Sequence, residues 1–143
     1  MADRGEEQAT STAVALQYLS KVYEDRYSEV ATAVRNTIEE IEDLSRAEQM
    51  LSDFDSIKGR HMLAMASPIL AINAILGSEE KVLVEVGGGY IVEKSIEEGK
   101  QFLSSVIESR NKYLSALTKE KEQLESALLE ISYKLSQEQD SYV

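Results

Sequence analysis

Apolar residues recur in alternating three- and four-residue steps along both ends of the chain, with polar residues between them. In the first arm one heptad register places Leu16, Tyr23, Val30, Thr37, Leu44 and Leu51 at d and Ala13, Ser20, Tyr27, Val34, Ile41 and Glu48 at a, and nine of these twelve are apolar or aromatic. In the second arm Leu103, Arg110, Leu117, Leu124 and Ile131 fall at d and Ile107, Leu114, Lys121, Leu128 and Leu135 at a, with eight of the ten apolar. Such spacing keeps one stripe of each helix apolar over many turns, which is the signature of a coiled coil. Glycine and proline divide the chain at the same places. Residues 6–58 and 100–143 contain neither, whereas 59–99 hold the only proline and six of the seven glycines. A turn-rich centre therefore separates two uninterrupted helical elements. The pattern predicts a flexible N-terminus over 1–11, helices over 12–58 and 95–139, and a short tail over 140–143.

The centre changes period. In "KVLVEV" Val82, Val84 and Val86 alternate with Leu83 and Glu85, and "YIVEK" continues in the same style beyond Gly87, Gly88 and Gly89. β-Branched runs around a glycine turn predict a hairpin. Upstream, "HMLAM" and "ILAINAIL" bracket Ser67-Pro68 and predict a second hairpin, joined to the first by Gly77-Ser78-Glu79-Glu80. The order is helix, hairpin, hairpin, helix over 12–58, 59–94 and 95–139. The two arms match in length, so folding back through the centre pairs them antiparallel, with Leu16 opposite about residue 136 and Leu44 opposite about residue 108. That register expects Arg110 near Glu42 and Asp43.

Composition adds limits. The 143 residues carry 26 acidic and 15 basic side chains, a net charge of -11, which repels phosphate backbones and anionic lipid and argues against nucleic acid or a membrane surface as partner. There is no cysteine, so disulfides and thiolate chemistry are excluded. The start "MADRGEEQATSTAV" is acidic where a secretory signal would be basic and then apolar. The longest apolar tract, 62–76, is broken by Ser67, Pro68 and Asn73 and is shorter than the roughly 20 residues of a membrane span. These features predict a cytoplasmic protein.

Candidate chemistry is sparse. The three glycines invite a phosphate-loop reading, but a dinucleotide loop needs G-x-G-x-x-G opening into a helix, and Val92 stands at the third position inside a strand-like run. Glycine's freedom at positive φ, which tight hairpins need, accounts for the three residues better. His61, the only histidine, has no nucleophile or orienting group nearby in sequence, and it reads as the start of a strand. The acidic run "EEIED" lacks the Glu-x-x-His pairs of carboxylate metal bundles. No catalytic, cofactor-binding or metal-ligating residue is assigned, and an enzyme is not expected.

Surfaces are more informative. Tyr18, Tyr23, Tyr27, Tyr133 and Tyr142 fall toward the far ends of the arms, together with Val14, Leu19, Val22 and Leu129 outside the a/d seam. A two-helix coil has one seam, so these last four must be partly exposed. They are either ordinary surface scatter or an apolar binding surface. The small hairpins carry apolar residues on both faces and leave strand edges unpaired. Two-stranded sheets are marginal in water, so these strands should pair with copies of themselves or a homologue, closing a sheet or barrel.

Helix, two hairpins and helix, with equal heptad arms, resembles the prefoldin α-type subunit, and the similarity covers about residues 12–139. Its most specific part is "SEEKVLVEVGGGYIVEKSIEEGKQFL" (78–103): a strand, a V-G-x-G turn, an aromatic, then a basic residue leading into a helix. Two hairpins rather than one mark the α type, and Ser67-Pro68-Ile69 departs from the family's usual glycine-rich first turn. The residues do not decide between an archaeal and a eukaryotic source, although the short chain and the lack of cysteine lean toward the archaeal. The resemblance implies a mainly α fold with small β: a long antiparallel two-helix coiled coil whose central hairpins oligomerise into a β-barrel base. It implies a hetero-hexamer of two α-type and four β-type prefoldin subunits, working without ATP or another cofactor as a holdase. Coiled-coil tips hold non-native polypeptides and deliver them to a group II chaperonin. By this resemblance Val14, Leu16, Leu19, Val22, Leu128, Leu129, Ile131 and Leu135 grip clients, while Val82, Val84, Val86, Gly87, Gly88, Gly89, Tyr90 and Val92 belong to the oligomerisation hairpins. The alternative is a coiled-coil structural or tethering protein that binds one defined partner.

Overall fold

A computed structural model describes residues 2–140, and their side chains from 11 to 138. In chain order they form α1 (Ala2–Ser52), α2 (Phe54–Ile57), β1 (His61–Ser67), β2 (Leu70–Ile75), β3 (Lys81–Gly87), β4 (Tyr90–Ser95) and α3 (Ile96–Asp140). The helix–hairpin–hairpin–helix order matches the sequence reading. Helix α1 starts earlier than expected, because Glu6, Glu7, Gln8 and Ala9 are tolerated in a helix although the apolar heptad begins only at Ala13. The expected flexible segment 1–11 is therefore helical from Ala2 onward. At the other end Asp140 still belongs to α3, and Tyr142 lies outside the described residues.

Helix α3 begins where the sequence builds a cap. The Glu98 backbone N–H donates to Ser95 Oγ at 3.1 Å, and the Ser95 hydroxyl donates to Glu98 Oε1 at 3.1 Å. This satisfies one of the orphan donors of the first turn with a Ser-x-x-Glu pattern. Helix α2 ends at Ile57, and Gly59 just beyond it, with a φ of 78°, takes the left-handed conformation common after a helix.

The chain divides into two compact units, one made of α1 through Glu39 with α3 from Asn111 onward, the other of Glu40–Arg110. In the first, every predicted seam position from Ala13 to Thr37 and from Leu114 to Leu135 is buried or half-buried. Its core is Val30, Leu117 and Leu124, with Tyr23, Tyr27, Ala33 and Val34 packed against it. The polar seam residues all have partners. Thr37 is buried and its hydroxyl donates to the Ala33 carbonyl at 2.7 Å, and Lys121 Nζ lies 5.9 Å from the centre of the Tyr27 ring. Beside the seam, Arg26 Nε donates to Glu120 Oε1 at 2.7 Å, and Tyr27 OH donates to Glu125 Oε1 at 3.0 Å.

In the second unit Ser104 Oγ donates to Glu48 Oε2 at 2.8 Å, and Arg110 Nε lies 3.0 Å from Glu40 Oε1. The expectation for Arg110 is thus corrected from Glu42 and Asp43 to Glu40. With Ile41 at a and Leu44 at d, Glu40 occupies g, beside the seam, whereas Glu42 and Asp43 occupy b and c on the outer face. Asp43 instead pairs with Arg46 on its own helix.

The two hairpins share one ladder. In the first, His61 pairs with Ile75 and Met65 with Ala71, and the register shifts before Ser67 pairs with Leu70. In the second, Lys81 pairs with Ser95 and Glu85 with Ile91, and the shift precedes Gly87 with Tyr90. Strand lengths, turn length and bulge position repeat twenty residues later. The turns reach this geometry differently. Gly87, Gly88 and Gly89 have φ of 116°, 61° and 80°, the positive values of a primed turn and its bulge. Pro68-Ile69 has no positive φ, and there the Ile69 N–H donates to Ser67 Oγ at 3.3 Å.

Candidate interaction surfaces

A strand shows alternate residues to opposite faces, so pairing partners share a face. In the second hairpin one face carries Val82, Val84, Val92, Lys94 and Tyr90, and the other Lys81, Leu83, Glu85, Ile91, Glu93 and Ser95. Val82, Val84 and Lys94 are half-buried, whereas Val86, Gly87, Gly88, Gly89, Tyr90 and Val92 are exposed. The cause lies at Gly99 in the first turns of α3. A methyl there would sit 2.8 Å from Val82 Cγ2 and 3.2 Å from Leu51 Cδ1, so the missing Cβ lets the helix lie against the start of β3. Lys94 also reaches back, its Nζ 6.0 Å from the centre of the Phe102 ring.

The opposite face was missed by the site residues read from sequence. Leu83 is 73% exposed and Ile91 66%, and the signal for them was present in the alternation of "KVLVEV". The first hairpin is more open still. Leu63, Met65, Leu70, Ile72 and Ile75 are exposed, and Ile69 at its turn is 96% exposed. Each sheet has two strands only, so every strand has one edge whose backbone N–H and C=O groups pair with no other strand. Apolar faces next to unpaired edges are the marks of a surface that adds a further strand.

The first unit carries a second apolar surface. Val14 (59% exposed), Leu19, Val22 and Leu129 (72%) lie outside the seam and face solvent, as do Tyr18 and Tyr133. Val14, Tyr18 and Val22 follow one another at four-residue steps, which aligns them as a stripe along α1. Leu16, Leu128 and Leu135 are half-buried in the seam. Ile131 corrects the expectation for this surface: it is 5% exposed, because its d position turns it into the core. The Tyr23 and Tyr27 rings also pack on the core. The Tyr27 phenol is held above its usual pKa, first by its hydrogen bond to Glu125 and then by desolvation.

Among the described residues no group of three His, Asp or Glu side chains is placed to hold a metal ion. No helix among them is long and apolar enough to cross a membrane. His61 opens β1 opposite Ile75.

Two long helices with a heptad seam, joined by two hairpins that leave their apolar faces bare, define a coiled-coil subunit made for assembly. The sequence model of the prefoldin-subunit family matches residues 23–141, and the chain belongs to the prefoldin family. Its members are non-enzymatic, chaperone-type subunits that assemble with other prefoldin subunits. A protein named "Probable prefoldin subunit 5" from Dictyostelium discoideum is 28% identical over 144 residues, spanning 95% of this chain and 89% of its own. The cryo-EM structure of filamentous PFD from Methanocaldococcus jannaschii shares the fold with a TM-score of 0.68 at 15% identity, over 82% of this chain and 98% of that one.

Proposed function

We propose that the chain is an α-type prefoldin subunit that joins β-type subunits in an α2β4 hexamer in the cytoplasm, holds non-native polypeptides without ATP, and passes them to a group II chaperonin. The observation that carries this reading is the pair of hairpins, with apolar side chains exposed on both faces and unpaired edges. Covering them requires other strands, and closure into a barrel removes every edge at once. The gripping surface is the exposed set Val14, Leu19, Val22 and Leu129, supported at the seam by Leu16, Leu128 and Leu135. Ile131, being buried, is left out of it.

Native mass spectrometry of the chain mixed with a β-type subunit tests the assembly, and the expected mass is that of two copies with four partners. Aggregation of several unrelated denatured proteins, followed without ATP, tests the holding activity. Arms shortened by two heptads, so that Val14, Leu19, Leu129 and Leu135 are removed, should lose that activity and keep the hexamer. Full protection by the shortened hexamer would remove the gripping role from these residues.

A further inference from the structure

Sulfur chemistry in this chain belongs to methionine alone. There is no cysteine, so an oxidant meets no thiol, and the thioethers among the described side chains are Met50, Met62 and Met65. Met62 and Met65 both stand in β1. The twenty-residue repeat between the hairpins puts Val82 and Glu85 at the matching places, so the second hairpin has no sulfur. Met65 is 64% exposed, against 42% for Met50 and 38% for Met62. It pairs with Ala71 and shares its strand face with Leu63 and Ile75, which are exposed as well. Thioethers of equal intrinsic reactivity oxidise in the order of their access to solvent.

The chemistry needs only a peroxide. A lone pair of Met65 Sδ attacks one peroxide oxygen, an S–O bond forms and the O–O bond breaks. The sulfur is oxidised to the sulfoxide, the peroxide is reduced, and its second oxygen takes the proton of the first and leaves as water. A flexible apolar side chain has then become a polar one. In open water that changes little. Under another strand or sheet the new oxygen needs a hydrogen-bond donor. The donating side chains within 61–75 are His61, Ser67 and Asn73, and none of them is the cross-strand partner of Met65. The second hairpin has donors in Lys81 and Lys94, whereas the first has no lysine or arginine.

We propose that Met65 is an oxidation site, at which a peroxide-class oxidant stops the first hairpin from being covered and from which reduction of the sulfoxide restores it. The step acts on the unassembled chain, and it rests on the assembly reading for the covering of this face.

Hydrogen peroxide applied to the full chain, followed by mass spectrometry of its peptides, should add oxygen to Met65 before Met50 and Met62. Titration with a β-type subunit, followed by native mass spectrometry, should then need about tenfold more partner for half assembly, the effect of covering an unpaired polar group. Helical circular dichroism should be unchanged, and a methionine sulfoxide reductase should reverse the loss. Two variants localise the effect. Met65→Leu keeps the size and apolar character of the side chain and should assemble normally before and after peroxide. Met65→Gln introduces a polar group without oxidant and should assemble less well than the native chain. Oxidation that spares Met65, an oxidised chain that assembles like the untreated one, peroxide sensitivity that survives in Met65→Leu, or normal assembly of Met65→Gln overturns the proposal. The two readings fail differently. An untreated chain that takes up no β-type subunit removes the assembly reading and the coupling with it, whereas equal assembly before and after oxidation removes the coupling alone.

Discussion

In the seam of the first unit Val30 and Leu117 are almost closed to water and pack in one cluster. In the hairpins Leu83 and Ile91, side chains of the same kind, stand open on a strand face. Burying such a side chain contributes about 1.5–3 kcal/mol, and the seam realises that contribution within one chain. The hairpins hold it in reserve, because a two-stranded sheet has no second layer to cover it. Apolar residues thus mark internal packing where they repeat at heptad spacing on paired helices, and a place for another chain where they alternate on a lone hairpin.

Substitutions can break or sharpen that contrast. Leu117→Ala removes a side chain from the seam core and should cost about 2–4 kcal/mol, measured as lost thermal stability of the helical signal. Gly88→Val places a branched residue at a φ of 61° and should cost about 1–2 kcal/mol; Gly88→Asn, better tolerated in that conformation, should cost less. Gly99→Ala sets two effects against each other. Helix propensity gains up to about 1 kcal/mol, while the clash with Val82 costs about 1–3 kcal/mol. A net loss of about 1 kcal/mol is expected from these opposing terms, and a net gain in melting temperature would mean that the helix–strand contact is loose. Leu83→Ser should change the stability of the isolated chain by less than about 0.5 kcal/mol, as at an exposed site, yet weaken assembly; if it destabilised the isolated chain as much as Leu117→Ala, the contrast between the regions would fail.

The smallest effect concerns Tyr27. Its pKa is raised in the folded chain by the bond to Glu125, so the stabilisation is complete below the ordinary value of 10.0 and fades as pH rises through the higher folded value. Comparison with Tyr27→Phe isolates this contribution. The advantage of the native chain over the variant should be constant near neutrality and disappear in strong alkali.

Much of this was legible in the sequence. Each predicted seam position in the first unit is covered, since heptad spacing directly encodes which side of a helix faces its partner. The triple glycine also reads correctly as a turn, because three successive positive φ values demand glycine. Other features were not legible for physical reasons. Distance along the helices suggested Glu42 or Asp43 for Arg110, but the choice is made by angle around the helix, and only Glu40 flanks the seam. Ile131 is a different case: its d position, already readable in the heptad, turns it inward, and grouping it with the gripping residues rested on its apolar chemistry alone. Gly99 resembled the end of the turn-rich centre, and its close approach to Val82 depends on a strand distant in sequence.

The polar residues in the seam bear on alignment. Sliding one helix past the other by seven residues would superimpose the heptad ladder on itself, so apolar contacts alone barely distinguish one alignment from the next. Arg110 with Glu40, Ser104 with Glu48 and Lys121 with Tyr27 each meet in a single alignment. They act like the marks of a vernier scale, removing the translational degeneracy of a repeating pattern. The cost of a slipped frame is charged groups left without their counterparts, and so a chain written largely in one repeating unit still has one way to close.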